Sequence, residues 1–152
     1  MPNMAFNPRC PFHTAVATAL ALGSISYIYL RLTKKQQKTI ERYDVDTRFT
    51  DAVRYGDLVF ISGQVGSGGS TIEEQTRSAL ADVDAALAKA GTDKSRVLEA
   101  TVWLADIARD YKGMNSIYDR WLVSGKPPAR ACIQSKLASP DYMVEIRVIA
   151  AI

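Results

Sequence analysis

From Thr39 onward the chain alternates between two hydrophobic periods, and each change of period marks an element. "TIERYDV" and "FTDAVRYGDLVFISGQ" follow a two-residue period that predicts strands, with "RYGD" supplying a glycine-containing turn between Val53 and Leu58. Leu58, Phe60 and Ser62 then share one face, and Val59 and Ile61 the other. In "STIEEQTRSALADVDAALAKAG" the period lengthens. Ile72, Leu80, Val83, Leu87 and Ala90 recur at helical spacing, Thr71 with Glu74 forms a capping box, and Gly91 stops the helix. "RVLEATVWLAD" returns to the strand period, with Leu98, Ala100, Val102 and Leu104 on one side and Glu99, Thr101 and Trp103 on the other. A second helix is predicted from Asp110 to Val123, buried through Met114, Ile117, Tyr118 and Trp121 and ended by "SGKPP". Two strands, Ala129–Ser135 and Tyr142–Ala151, flank "KLASPD" and close the chain. This order predicts an α/β sandwich, a mixed six-stranded sheet with both helices packed on one face.

Residues 1–38 stand apart from this pattern. Thr14–Leu32 runs seventeen residues without a charge before Arg31, about the length of a short membrane span, and basic residues cluster after it. It reads as a membrane anchor with the domain on the positive, cytoplasmic-type side, as a targeting segment that is removed, or as non-native sequence. An acid-poor, hydroxyl-bearing leader also suits a mitochondrial presequence. The domain at 39–152 is therefore expected in the cytoplasm or the mitochondrial matrix, with membrane contact only through residues 14–32.

Composition narrows the chemistry. A chain of 152 residues, 47% hydrophobic and 23% charged, is globular and has no need of a second folded domain. The net charge of +3 comes from the leader: residues 1–40 hold five basic residues and no acid, whereas the remainder holds 14 basic and 16 acidic residues. A mildly acidic domain lacks the basic stripe that nucleic acid requires, so no nucleic-acid partner is expected. The single histidine, His13, and one of the two cysteines, Cys10, lie in the leader. The domain thus has no imidazole for a Ser–His or Cys–His pair, and no metal site or disulfide framework is expected.

Two segments carry candidate chemistry. The glycine-rich "SGQVGSGGST" joins a strand to a helix N-terminus, but it lacks the Gly-Lys-Ser/Thr ending of a phosphate loop and reads first as a turn, with Ser62 and Gly63 as candidates at the strand end. The strand period of "PPARACIQSK" places Arg130, Cys132 and Gln134 on one face. If the last two strands pair as a hairpin with Cys132 opposite Glu145, Arg130 faces Arg147 one diagonal step from Glu145, and a guanidinium, a thiol and a carboxylate gather together. That face either meets water, with an Arg–Glu pair worth ~0–1 kcal/mol, or lines a site. Glu145 sits in the apolar run "YMVEIRVIAAI", where a partly buried charge needs a partner, and Arg130 is suited to gripping a small carboxylate. Asn115 is a candidate amide contact from the second helix.

Taken in order, "ISGQV", "TVWLAD", "MNSIYDRW", "PPARACIQ" and "VEIRVIAAI" resemble the RidA (YjgF) family of enamine/imine deaminases, especially its YoaB-like branch, from Thr39 to Ile152. The resemblance implies a chorismate-mutase-like α/β fold, a homotrimer, and active sites in clefts between subunits. It also implies cofactor-free hydrolysis of reactive enamines and imines, of the aminoacrylate or imino-acid type, to a keto acid and ammonia. By position, Arg130 looks like the arginine that grips the substrate carboxylate and Glu145 like the acid that positions water. Asn115, Cys132, Ser62 and Gly63 match residues around that site. Phe49 stands where many members carry a tyrosine, so its ring can wall the pocket without the hydroxyl. A non-enzymatic module that senses small carboxylates is the alternative of the same fold, and an RNA-cleaving protein is the third reading.

Overall fold

The structure, a computed structural model, describes residues 38–152. The leader readings, including membrane contact through residues 14–32, lie outside the described residues. Among the described residues no helix is long and apolar enough to cross a membrane.

The strands are β1 (Ile40–Val45), β2 (Thr50–Tyr55), β3 (Leu58–Ile61), β4 (Gln64–Val65), β5 (Val97–Leu104), β6 (Ala129–Gln134) and β7 (Val144–Ala151), and the helices are α1 (Ile72–Lys89) and α2 (Ile107–Trp121). One mixed sheet runs β1-β2-β3-β7-β5-β6, with β4 also paired to β7. It has seven strands where six were expected, because Gln64 and Val65 leave the glycine-rich link to pair with Ile146 and Glu145. The pairs are antiparallel except β5 with β6, which are parallel and joined by α2.

That crossover corrects the hairpin expected at the end of the chain. β6 pairs with β5 alone, and β5 lies between β6 and β7, so Cys132 stands beside Val102 rather than Glu145. The physical reason is the helix between β5 and β6. A strand–helix–strand unit returns its second strand parallel to the first, which leaves only the far side of β5 open to β7.

The helices bury the stripes their periodicity predicts and pack on each other over one sheet face. On α1, Ile72, Leu80, Val83 and Leu87 are buried, and the Thr71/Glu74 capping box is formed. Its α2 counterpart begins three residues before the expected Asp110, since the Asp106 side chain accepts the Arg109 N–H and caps it. From the sheet, Val59, Ile61, Ala100, Val102, Leu104, Val144, Ile146 and Val148 complete the core. Leu98 departs from its expected burial. A β-bulge between Val97 and Glu99 puts Val97 into the core and leaves Leu98 49% exposed.

Candidate active site

Arg130 enters β6 directly after Pro127, Pro128 and Ala129, and its register beside Ala100 points it to the helix-covered face. At this edge of the sheet α2 meets it. The guanidinium donates to the Asn115 side-chain oxygen at 2.7 Å and more weakly to the Tyr111 hydroxyl at 3.5 Å, and lies 4.8 Å from the centroid of the Tyr118 ring. These three residues recur at i, i+4 and i+7 along one strip of α2. None is charged, and Arg130 makes no ion pair with the described residues. Tyr111 of this strip and β6 border an open cleft of about 740 Å³, lined also by Ile107, Arg109, Lys112, Arg130 and Cys132.

Two neighbours of the guanidinium titrate above their ordinary range. Burial pushes the Cys132 thiol up, and the nearby Arg130 charge only partly offsets this, so the thiol is held in its neutral form. Burial likewise raises Tyr118, whose hydroxyl has no hydrogen-bond partner among the described residues. The third residue of the β6 face, Gln134, is structural: its side-chain oxygen accepts the Ile107 N–H at 3.0 Å and helps cap α2.

Glu145 stands elsewhere. Its register partners, Trp103 and Val65, place it on the sheet face that no helix covers. Across the sheet it lies two strands and three residues from Arg130, roughly 10 Å for the strand spacing alone, and its side chain leaves from the opposite face. The expected Arg130–Glu145 pairing is therefore absent within one chain. Half-buried Glu145 pairs with no cation among the described residues. It packs instead against Gly63, where an added Cβ would overlap the carboxylate; glycine here is a matter of space, not of turn geometry.

Ser62 follows β3 and adjoins Gly63, and Phe49 precedes β2. The Ser62 hydroxyl donates to the Thr50 carbonyl at 2.5 Å and its N–H to Asp51 at 2.9 Å, tying the end of β3 to β2. Phe49 is 54% exposed, and its carbonyl accepts the Asp46 N–H at 3.0 Å. In the glycine-rich link two backbone donors just ahead of α1 are already taken. The Glu74 carboxylate already accepts the Ser70 and Thr71 N–H groups at 2.9 and 3.2 Å, which holds it below its usual range.

The candidates thus divide into a group around Arg130 (Asn115 and Cys132) and a group around Glu145 (Gly63, with Ser62 next to it in sequence), while Phe49 stands at the start of β2. Sequence reasoning missed Tyr111 and Tyr118 as partners of Arg130, although their helical spacing from Asn115 was the available signal.

The profile of the family described as "Endoribonuclease L-PSP" matches residues 39–152. A RutC family protein of Haemophilus ducreyi is 43% identical over 114 residues, covering 74% of this chain and 97% of its own. The chain belongs to the RidA (YjgF) family. Within it the YoaB-like branch is close, since the RutC family protein YoaB of Escherichia coli is 39% identical over 114 residues, covering 75% of this chain and 99% of its own. The fold of this RidA-family chain also matches a solved YjgF-family protein of Neisseria meningitidis, with TM-score 0.74 and 40% identity over 76% of this chain and 97% of that one.

Proposed function

We propose that this RidA-family protein is a cofactor-independent enamine/imine deaminase that converts imino acids to 2-keto acids and ammonia. The observation that carries the reading is Arg130: a guanidinium fixed by an amide and an aromatic ring, without a protein carboxylate, at the wall of an open cleft. A fixed cation left unpaired favours a small anionic ligand, and bidentate carboxylate binding suits its geometry. An imine carbon is already electrophilic. Hydrolysis needs the substrate held by its carboxylate, a water placed against that carbon, and proton transfer. The water oxygen bonds to the carbon, the C–N bond then breaks, and nitrogen leaves with the transferred protons as ammonia.

Glu145 is the group we assign to that water, and it must come from a second copy of the chain, because within one chain it faces away from Arg130. The open sheet face supports this. Phe60, Trp103, Ile133 and Ile149 share it, and Phe60 and Ile133 remain 40% and 46% exposed. Such a face suits burial against another copy. A homotrimer, with Arg130, Asn115 and Cys132 from one subunit and Glu145, Gly63, Ser62 and Phe49 from the next, accounts for both clusters.

The same separation favours one alternative, a carboxylate-binding module, for any state in which the clusters stay apart. An RNA-cleaving reading, which the family description invites, finds no histidine after residue 13 and more acidic than basic residues from residue 41 onward. The deciding experiment follows ammonia and keto-acid release from imino acids made in situ by an amino-acid oxidase, using the full-length chain and Arg130→Ala. The wild type should accelerate release, and the variant should lose about 10²–10³-fold in kcat/KM, in line with the ~3–4 kcal/mol of a desolvated charge-assisted contact. No acceleration by wild type, with retained keto-acid binding, would leave the binding module.

A further inference from the structure

Charge in the α2–β6 cleft is one-sided. Arg109 is neutralised by the buried Asp110 carboxylate, which it meets through two contacts at 2.8 and 2.7 Å. Arg130 is held only by neutral groups. Lys112 lines the same cleft and makes no ion pair with the described residues. Among the described residues no carboxylate lines this cleft, and the Cys132 thiol stays neutral. Two cations without a carboxylate partner among the described residues therefore face one opening, an arrangement that favours an anionic ligand.

We infer that the site takes an imino dicarboxylic acid, with Arg130 holding the carboxylate beside the imine carbon and Lys112 the distal one. The inference rests on the deaminase reading and adds a substrate class to it. Lys112 precedes Asn115, the residue holding Arg130, by three positions on α2. Lys112 and Arg130 line the one cleft, so a single ligand with two carboxylates can meet both cations. The charges also balance. A protonated imine nitrogen meets Glu145 of the second copy, and the two carboxylates meet the two cations. A monocarboxylic imine leaves Lys112 unmatched.

The test uses the full-length chain and imines generated in situ by flavin oxidases, from aspartate or glutamate for the dicarboxylic class and from norvaline or norleucine for the monocarboxylic class. The expected kcat/KM is about tenfold higher for the dicarboxylic class at low salt, with the ratio shrinking as ionic strength rises. Lys112→Gln should collapse the ratio, and Lys112→Arg, which keeps the charge, should restore it. Equal kcat/KM for both classes in the wild type, or an unchanged ratio in Lys112→Gln, overturns the inference. If no imine of either class is hydrolysed, the deaminase reading falls by itself. Calorimetry then decides the two-cation site: tighter binding of 2-oxoglutarate than of 2-oxohexanoate, lost in Lys112→Gln, upholds it, and equal affinity or no binding overturns it.

Discussion

The proposed anion anchor around Arg130 and the proposed acid cluster around Glu145 differ in how many partners a single chain gives them. At the β6 edge, Arg130 has its geometry set by groups from one helix, the Asn115 amide, the Tyr111 hydroxyl and the Tyr118 ring, so its own chain holds the guanidinium in place. On the uncovered face, Glu145 has neither a cation partner nor a helix above it among the described residues, only Gly63 and its β4 neighbour Val65 beside it. One region is preorganised by local packing. The other, in the homotrimer we propose, would be finished by a neighbouring subunit. Electrostatic preorganisation matters most where water is excluded, so under the proposed function the Arg130 half would be set in the monomer and the Glu145 half only on assembly. This division explains how a chain could bind a keto acid and still fail to turn over an imine.

Complementation gives the strongest test of the division. Arg130→Ala and Glu145→Gln should each be nearly inactive as pure proteins. When equal amounts are unfolded together and refolded, sites that draw Arg130 from one subunit and Glu145 from another should recover about a quarter of wild-type activity by random mixing, roughly a 10²-fold gain over either parent. Recovery absent from properly assembled mixed oligomers would mean that each subunit carries both groups in its own site. A smaller effect separates binding from chemistry on the acid side. Gly63→Ala inserts a Cβ into the Glu145 carboxylate and must displace it. The expected result is about a tenfold loss in kcat with keto-acid affinity held within about twofold, measured by steady-state kinetics and calorimetry. An equal loss of affinity would show that the two clusters do not divide the work in this way.

Local features of both regions were legible in the chain, whereas their mutual placement was not. The capping box of α1, the buried stripes of both helices and the alternation of Val59, Phe60 and Ile61 follow from short-range periods that survive folding unchanged. The hairpin expected between β6 and β7 failed because strand pairing is nonlocal, and alternation along two strands says nothing about a third inserted between them. A usable signal existed: "RVLEATVWLAD" and "PPARACIQ" are joined by a helix, which commits them to parallel pairing. Two departures had no such signal. β4 spans only two residues, too short for any period, and the bulge that expels Leu98 breaks the alternation that would have buried it. Asn115 and Cys132 beside Arg130 and Gly63 beside Glu145 were named from the sequence, whereas Tyr111 and Tyr118 were not, and which sheet face each group occupies depended on that pairing.

The smallest expected effect bears on how the anchor is held. Tyr118 is 2% exposed, presents its ring to Arg130 and buries a hydroxyl with no partner among the described residues. If the ring alone supports the guanidinium, Tyr118→Phe keeps the cation–π contact and removes an unsatisfied polar group. Such a group costs about 1 kcal/mol or more when buried, so the variant should melt a few degrees higher while keto-acid affinity stays within about twofold. Tyr118→Leu should behave differently, weakening keto-acid binding because the guanidinium loses its platform. A Tyr118→Phe protein that melts lower and binds keto acid poorly would show that the hydroxyl, not the ring, holds the anchor. The preorganisation assigned to the β6 edge would then rest on a hydrogen bond made only in the assembled protein, and the contrast between the two regions would narrow to one of degree.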